Sequence, residues 1–463
     1  MARFFGSVTI QIAPKTVVFE LYVSTQRAAV TNLPFLHYGL RKTALGASLL
    51  SKALIISNRN YRLLLSASSV SNLGDGIAMV ALPWLATMLT SDPLFIAGVA
   101  TAQRLPWLLF SLPVGVWTDR ADRRLLMFRA DLVRVALMAF TVLMIVSQTS
   151  MPPSTGPGLA AILSLTVIAF LFGSAEVVRD NAAQTVLPSI VAHTDLERAN
   201  GQMWSAEQVC GQFIGPPVAG LLIASAVALP FGVNASIYAI SAILIWLIAL
   251  PPRAASVSSR FMPALLEGFG WMRRNPIILR LAIMLGAINA VFIGGMTVLV
   301  LYAQEVLYLS ATGYGLLLTV GAMGGVAGGF LAPVLAARLG MKRSLLAALC
   351  TFTIINLILG FFTSPALAGI ALFLEAAAGM LWNVVTVSYR QRLIPDELLG
   401  RVNSVYRFFG WGAMPFGAMG AGALVAVLTP AMGRLEALHT PYLFAAFICA
   451  LLAVFAFFRL RFE

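Results

Sequence analysis

Isolated ionisable side chains interrupt long apolar runs in this sequence, and the chemistry open to them is proton uptake and release. Asp75 lies near the middle of the first run, within NLGDGIAM, and Arg104 lies near the middle of the second. An ionisable group inside a membrane span is costly, and by default it indicates a function. A very short loop joins the two runs, so they must be antiparallel neighbours. The sequence therefore predicts a buried Asp75–Arg104 pair, formed directly or across the cavity.

This pair allows two interpretations. In the first, Asp75 takes up a proton while Arg104 tunes it or contacts a substrate. In the second, the two residues form a permanent ion pair that fixes helix packing. A neighbouring guanidinium favours the ionised carboxylate, so proton coupling would require the pair to open in one state.

The fourth and fifth apolar runs carry further acidic residues. Glu176, Arg179 and Asp180 are spaced by three and four residues, which places them on one helical face. They are interpreted either as a charge lock or as a solvated rim. Glu207 stands one turn before Gly211, and either a proton-carrying position in a cavity or a rim position suits it. We take Asp75, Glu176 and Glu207 as the proton-coupling candidates.

A tenth run contributes two more polar positions. Glu375 falls near its middle, and Asn383 follows two turns later. With Arg104, these residues are the candidates for polar groups in a central cavity.

Membrane helices must position these groups. The chain has 463 residues, 59% hydrophobic and 11% charged, with a mean hydropathy of +0.89. A soluble domain cannot bury that much apolar surface. From about residue 60 onward, twelve apolar runs approach the roughly 20 residues that a span requires. The predicted spans 1 to 12 cover 62–89, 94–116, 125–148, 157–185, 202–227, 232–250, 278–303, 312–336, 344–362, 366–389, 404–428 and 441–459.

Basic residues alternate between the two sides of these spans. Of the 31 Lys and Arg residues, all but Arg104 and Arg434 lie at the termini, in even-numbered loops or at the span ends beside them. Because cytoplasmic loops are enriched in Lys and Arg, both termini are predicted to be cytoplasmic, in a plasma (inner) membrane. The net charge of +13 is thus a topology signal and does not indicate a nucleic-acid partner.

Four segments follow from this pattern. Residues 1–57 form a basic extension, predicted to be disordered, with a basic arm lying on anionic lipid as the alternative. Residues 58–250 and 278–463 are two six-helix halves, and residues 251–277 form a cytoplasmic linker between them. The halves repeat, because a similar short motif follows the fourth and the tenth span: Pro188, Arg198 and Asn200 in the first copy, Pro395, Arg401 and Asn403 in the second.

The densest charged run joins spans 2 and 3. It reads GVWTDRADRRLLM, from Gly115 to Met127. It resembles the helix 2–3 loop of the major facilitator superfamily, roughly G-x-L-a-D-R-x-G-R-R, and the variant seen in the macrolide and enterobactin exporters. The positions that match are Gly115, Asp119, Arg120, Arg123 and Arg124.

The resemblance implies an all-α membrane protein of about twelve helices in two pseudo-symmetric halves, the major facilitator fold. It also implies that Asp119 and a charge on span 4, Arg179 or Asp180, form a gate latch against span 11. The second copy of the loop has Ala337 at the position of Asp119. The acidic latch is therefore expected only in the N-terminal half.

Span 5 carries a second motif, CGQFIGPPVAGLL. This run resembles the motif of exporters that exchange substrate for protons, and the matching positions are Gly211, Gly215, Pro216 and Gly220. Leu221 stands where that motif has its last glycine. The three glycines share one face, which allows a neighbouring backbone to approach closely. Pro216 removes one helix hydrogen bond and favours a bend.

Several functional classes are excluded. Cys210, Cys350 and Cys449 all lie in predicted spans, which argues against a disulfide framework and a clustered metal site. No Walker-type phosphate loop is present, so pumping driven by ATP in this chain alone is not expected. We expect no enzyme activity, no cofactor and no metal.

The sequence thus predicts a secondary transporter, a monomer in the lipid bilayer, that exports small amphiphilic drugs by proton antiport through alternating access. Export of an endogenous siderophore or lipid by the same machinery is the first alternative. A membrane scaffold or sensor that has lost transport is the second.

Overall fold

The computed structural model describes residues 7–12, 15–20, 54–147, 157–250 and 261–460. The chain forms two compact units, Met1–Ser57 and Asn58–Glu463. In the first unit, strand β1 (Ser7–Ile12) pairs antiparallel with strand β2 (Lys15–Glu20). The rest of the predicted basic extension up to residue 53 lies outside the described residues.

The second unit is helical, as predicted. Ten of its described helices are long and apolar enough to cross a membrane. One of them, Ala311–Phe361, breaks at Gly340, whose φ of 73° suits glycine, and so supplies spans 8 and 9. Span 3 adds the twelfth crossing. Spans 1 to 6 are, in order, Arg59–Leu89, Pro93–Arg120, Arg123–Val146, Pro157–Ile190, Leu196–Ser225 and Leu229–Trp246. Span 7 is Pro276–Leu301 and span 10 is Pro365–Leu393. Span 11 consists of two helices, Asp396–Gly412 and Met414–Met432, and span 12 is Arg434–Arg459.

Span 3 differs from the other spans because it contains several charges. Arg129, Asp131 and Arg134 lie in its otherwise apolar part, which is why its composition alone does not mark it as a span. Asp131 and Arg134 are completely buried. They pair with each other, and each also meets an opposite charge on a neighbouring helix.

The linker between the halves includes a helix, Phe261–Arg274, while residues 251–260 lie outside the described residues. This linker helix packs on the start of span 11. A Cβ placed on Gly268 would lie 2.7 Å from the carbonyl oxygen of Arg401, and Glu267 forms an ion pair of 2.5 Å with Arg401. The linker thus holds the second copy of the repeated motif.

The two halves touch at one end of the bundle. We call the end where span 1 begins and span 12 ends the terminal end, and the other the opposite end. Near the opposite end, span 5 packs on span 8 and span 2 packs on span 11. Gln304, in the π-helical turn Tyr302–Val306 that follows span 7, also donates a hydrogen bond of 2.9 Å to Thr87 on span 1. These contacts close the opposite end.

Glycine makes the closure between spans 2 and 11 possible. A Cβ at Gly422 would lie 2.2 Å from the Cβ of Ala97 and 2.8 Å from the carbonyl oxygen of Pro93. We predict that Gly422→Leu separates the halves at the opposite end, because overpacking costs about 1–3 kcal/mol in the closed state. The expected result is a longer distance between spin labels at Ser91→Cys and Met432→Cys.

Gly420 provides the matched control for this prediction. It lies on the same helix two residues earlier, and a Cβ there meets no described atom within 4 Å. Gly420→Leu introduces the same side chain and is expected to leave the label distance unchanged. Equal distances in the two variants would contradict the role assigned to Gly422.

Candidate functional site

A cavity of about 880 Å³ lies between the halves. It reaches from Arg104 and Glu176, deep in the bundle, to Pro188 and Asn200 near the terminal end. Spans 1, 2, 4 and 5 line it from the N-terminal half, and span 11 lines it from the C-terminal half. Five charged residues that the sequence singles out, for proton coupling, for the cavity or for the gate, line it together: Arg104, Glu176, Arg179, Asp180 and Glu207.

Tryptophan side chains supply the apolar part of the cavity wall. Trp107 of span 2 and Trp411 of span 11 meet edge to face across the boundary between the halves, with ring centroids 5.3 Å apart. Trp204 of span 5 also lines the cavity and is half exposed. A cavity with both aromatic faces and carboxylates suits an amphiphilic molecule.

Asp75 is not paired with Arg104, which corrects the prediction from sequence. Its carboxylate lies 3.3 Å from the guanidinium of Arg134 on span 3 and accepts a hydrogen bond of 2.9 Å from the hydroxyl of Tyr238 on span 6. The Asp75 side chain therefore points toward spans 3 and 6 rather than toward span 2. Arg104 remains a cavity residue, and among the described residues it forms no ion pair within 4.0 Å.

Asp131 lies at the centre of this buried charge network. Its carboxylate is 3.4 Å from the guanidinium of Arg134 and 3.9 Å from that of Arg179 on span 4. Ser241 of span 6 donates a hydrogen bond of 2.6 Å to its second oxygen. Arg179 is also 3.4 Å from Asp180, which lines the cavity. We call Asp75, Asp131, Arg134, Arg179 and Asp180 the five-charge cluster.

Neutral groups hold the two arginines in place. Arg134 donates a hydrogen bond of 2.9 Å to Ser71, and its guanidinium lies 4.8 Å from the ring centroid of Tyr238. Arg179 donates hydrogen bonds of 3.3 Å to the hydroxyl of Ser68 and to the carbonyl of residue 67. Buried arginines need such partners, because an unpaired buried charge is strongly unfavourable.

Sequence reasoning missed Asp131 and Arg134. It assigned the basic residues of span 3 to the charged end of that helix. The available signal was the spacing of the two residues, since an acid and a base three positions apart inside an apolar run place opposite charges on one helical face. Their partners, however, belong to spans 1, 4 and 6, and no sequence spacing indicates those contacts.

The charged loop is described only in part. The side chains of Gly115, Asp119 and Arg120 lie outside the described residues, and so does the predicted latch of Asp119 against span 11. Arg123 donates a hydrogen bond of 2.5 Å to the carbonyl of Thr185 on span 4, and Arg124 donates one of 3.1 Å to the carbonyl of residue 248 after span 6. The loop is thereby fixed within the N-terminal half.

Arg179 lies elsewhere than the latch hypothesis suggests. Its described partners are on spans 1 and 3 and on its own span. It is 2% exposed. Both residues border the cavity, but the side chain of Asp180 is 30% exposed and is therefore the better placed of the two to meet a neighbouring element there.

The glycine motif of span 5 contacts two helices. A Cβ at Gly215 would lie 2.6 Å from the Cα of Gly76 on span 1, and one at Gly220 would lie 2.6 Å from the carbonyl oxygen of Ala311 at the start of span 8. Gly211 packs against Asn72 on span 1. A π-helical segment, Glu207–Ile214, ends just before Pro216, as expected where prolines interrupt the hydrogen-bond ladder. The motif thus packs inside one half and across to the other.

The polar candidates of span 10 do not line the main cavity among the residues that are described. Glu375 borders a small void of about 10 Å³ within the C-terminal half, together with Asn356 and Tyr442. Asn383 is exposed on its helix. The charged wall of the main cavity comes from the N-terminal half.

The chain matches a family of known proteins over most of its length. The model of the transmembrane secretion effector family matches residues 52–461. The multidrug efflux pump Tap of Mycolicibacterium fortuitum is 26% identical over 419 residues, covering 86% of this chain and 96% of Tap. Macrolide efflux protein A of Streptococcus pyogenes is 24% identical over 214 residues, covering 45% of this chain and 50% of that protein. These relatives are transporters and not enzymes.

Solved structures share the fold. A mutant form of the nucleoside transporter NupG superposes with a TM-score of 0.70 at 12% identity, covering 85% of this chain and 99% of NupG. A bacterial homologue of the human lysosomal transporter Spinster, in an inward-facing and unoccupied conformation, superposes with a TM-score of 0.67 at 14% identity, covering 86% and 95%. These similarities show that the chain shares the fold of those proteins.

Proposed function

This chain belongs to the transmembrane secretion effector family, of the major facilitator type, and on that premise we propose that it exports small amphiphilic molecules in exchange for protons. The observation that carries the proposal is the cavity between the halves, closed at the opposite end and lined by tryptophans and carboxylates. The relatives named as drug efflux pumps support export rather than uptake.

The charge pattern supports an orientation. In the sequence, nearly all Lys and Arg residues fall at the termini, in even-numbered loops or at the span ends beside them, so we place the terminal end of the helical unit in the cytoplasm. The cavity extends toward that end, and the structure then corresponds to the inward-facing state that accepts a substrate from the cell interior or inner leaflet. Export requires the reverse state, in which the contacts of Gly220 and Gly422 separate.

Three carboxylates are the proposed proton carriers. Glu176 and Glu207 line the cavity, where water from the terminal end can reach them. Asp75 lies deeper, beside Arg134. Alternating access then exchanges a proton that enters from outside for a substrate that leaves. We propose that the chain works as a monomer, because one chain contains both halves of the cavity.

The test is transport by purified protein in vesicles with an imposed pH gradient. Ethidium serves as the probe, because it is an aromatic cation that can stack on tryptophan and approach a carboxylate. We expect ethidium to move against its gradient only while the pH gradient lasts. A lack of gradient-dependent movement of any amphiphilic probe would favour the scaffold or sensor alternative. Movement of lipid or siderophore probes alone would favour an endogenous substrate.

The tryptophan pair gives a prediction about binding. We expect Trp411→Ala to weaken ethidium binding about 2- to 10-fold, since an aromatic contact contributes about 0.5–1.5 kcal/mol beyond burial. Fluorescence anisotropy of ethidium with the purified protein measures the change. Trp246→Ala is the control, because Trp246 is half exposed on span 6, where it stacks with Arg124 instead of lining the cavity. Equal losses in both variants would rule out a binding role for Trp411.

A further inference from the structure

The five-charge cluster has an uneven balance of charge. It contains three carboxylates and two guanidiniums. Asp131 lies between the arginines, each of which also faces one outer carboxylate, Asp75 for Arg134 and Asp180 for Arg179. With every group ionised, the cluster carries one negative charge more than its arginines neutralise.

Only the two ends of the cluster are reachable. The side chains of Asp131 and Arg134 are 0% exposed and that of Arg179 is 2% exposed, whereas those of Asp75 and Asp180 are 22% and 30% exposed. A proton can therefore enter at Asp75 or at Asp180 but not at Asp131. Asp131 is enclosed inside the N-terminal half, between the two arginines.

The contacts within the cluster are loose. The ion-pair distances run from 3.3 to 3.9 Å, longer than the roughly 2.7–2.9 Å of a tight charge-assisted hydrogen bond. Three guanidinium nitrogens, Nε and Nη2 of Arg134 and Nε of Arg179, are buried with no hydrogen-bond partner among the described residues. Each arginine can thus shift between its two carboxylates.

We propose that the five-charge cluster binds a single exchangeable proton as a unit, and that Asp131 is the positioning residue that requires it. This inference rests on the proposed proton antiport. Net charge is costly in a buried site, and one proton makes the cluster neutral. The proton forms an O–H bond on Asp75 or on Asp180 and returns to water by the same groups.

The surrounding charges leave this balance unchanged. Glu176 on span 4 interacts with Asp75 and Asp180 of the cluster, and its own negative charge is offset by Arg104 on span 2. Glu207 on span 5 is exposed. Tyr238 on span 6 is a neutral hydrogen-bond donor to Asp75. On the C-terminal side, Arg407 of span 11 borders the same small chamber as Asp180 but is exposed.

The arrangement also relays the proton's effect to the cavity. When Asp75 is protonated, Arg134 is drawn toward Asp131. Asp131 then holds Arg179 less strongly, and Arg179 moves toward Asp180 at the cavity wall. Protonation on one side of the cluster therefore makes the cavity less negative, which favours release of a cationic substrate.

Infrared pH titration of the purified protein in lipid tests the proposal, because the C=O stretch of a protonated carboxyl is read directly. We expect Asp131→Asn to lose one titrating carboxyl relative to the wild type, although Asp131 never meets water. Asp75→Asn and Asp180→Asn are each expected to lose the same single carboxyl. A single independent carrier predicts that only one of the three variants changes, and that outcome would overturn the cluster.

Two further variants sharpen the test. In Asp131→Ser with Ser241→Asp, the carboxylate moves to the neighbouring position, and the titrating carboxyl is expected to return. Asp92→Asn, at the exposed cap of span 2, is the control and should match the wild type. If Asp131→Asn does not fold, Asp180→Asn at the cavity wall provides the test. Full retention of the titrating carboxyl band in Asp180→Asn would contradict a proton shared by the cluster.

The outcomes separate this inference from the proposed function. A wild type that shows no titrating carboxyl and no gradient-driven ethidium transport would contradict proton antiport itself. Gradient-driven transport with the band intact in both Asp131→Asn and Asp180→Asn would leave antiport standing and overturn only the cluster.

Discussion

Replacing Arg134 by methionine is expected to lower the free energy of unfolding by about 3–5 kcal/mol, the usual cost of removing one partner from a buried ion pair. The side chain is completely buried and is the guanidinium nearest to Asp75. Methionine fills most of the space but leaves Asp75 facing only the hydroxyl of Tyr238 and leaves Asp131 with Arg179 alone. Thermal unfolding of the purified protein in detergent measures the loss.

Arg129→Met is the matched control for this variant. Arg129 lies on the same helix, five residues before Arg134, and is exposed. The two variants share the same change in charge and a similar change in helix propensity, so their difference isolates the buried contacts. A loss in Arg134→Met no greater than in Arg129→Met would show that the buried network contributes little to stability.

A double variant identifies the source of the cost. Adding Asp131→Asn to Arg134→Met removes one of the two carboxylates left without an arginine. We expect the combined loss to be smaller than the sum of the single losses, because residues within one network are not additive. If the losses of the two single variants add exactly, Arg134 stabilises the protein through its packing against the rings of Tyr238 and Phe172 and not through Asp131.

The fold could be predicted well from the sequence, because hydropathy and basic-residue alternation depend on composition along the chain. Twelve spans follow from such local information. The irregular segment of span 5 just before Pro216 follows in the same way, since a proline cannot donate a helix hydrogen bond. The helix bounds differ from the predicted spans mainly where polar residues extend a helix beyond the membrane, as in span 4, which runs to Ile190.

The pairing of charges could not be predicted, because it depends on how each helix is rotated. Span 1 is apolar around most of its circumference, so its sequence does not show which face Asp75 occupies. Adjacency in the chain suggested span 2 and therefore Arg104. The fold instead surrounds Asp75 with spans 3 and 6, which bring Arg134 and Tyr238.

The glycine motif of span 5 also shows that the sequence does not reveal which helices contact each other. Its spacing predicts a face for close packing, but not the partner. Gly215 meets span 1 within its own half, whereas Gly220 meets span 8 across the boundary. One helix therefore joins the half that contains the charge cluster to a contact with the other half that the proposed export cycle would open, and this connection is visible only in three dimensions.

Asp75→Asn is expected to abolish efflux driven by a pH gradient. Asparagine cannot bind a proton at neutral pH, yet its side-chain oxygen can still accept the hydrogen bond from Tyr238. Arg134 keeps Asp131 as its counterion, so the protein is expected to remain folded. In vesicles, ethidium efflux with a gradient should fall to the rate measured without one, a loss of at least about tenfold if one obligatory coupling group is removed.

Substrate exchange in the absence of a gradient distinguishes coupling from general damage. Exchange of external for internal ethidium needs the cavity and the rocking of the halves but no net proton movement, so Asp75→Asn should retain it. Asp92→Asn, which keeps a residue suited to capping span 2, should retain both activities. If Asp75→Asn still concentrates ethidium with the gradient, Asp75 is not the proton carrier. If the variant loses exchange as well as gradient-driven efflux, the role of Asp75 is structural, because the interior of the N-terminal half then depends on the Asp75 charge itself.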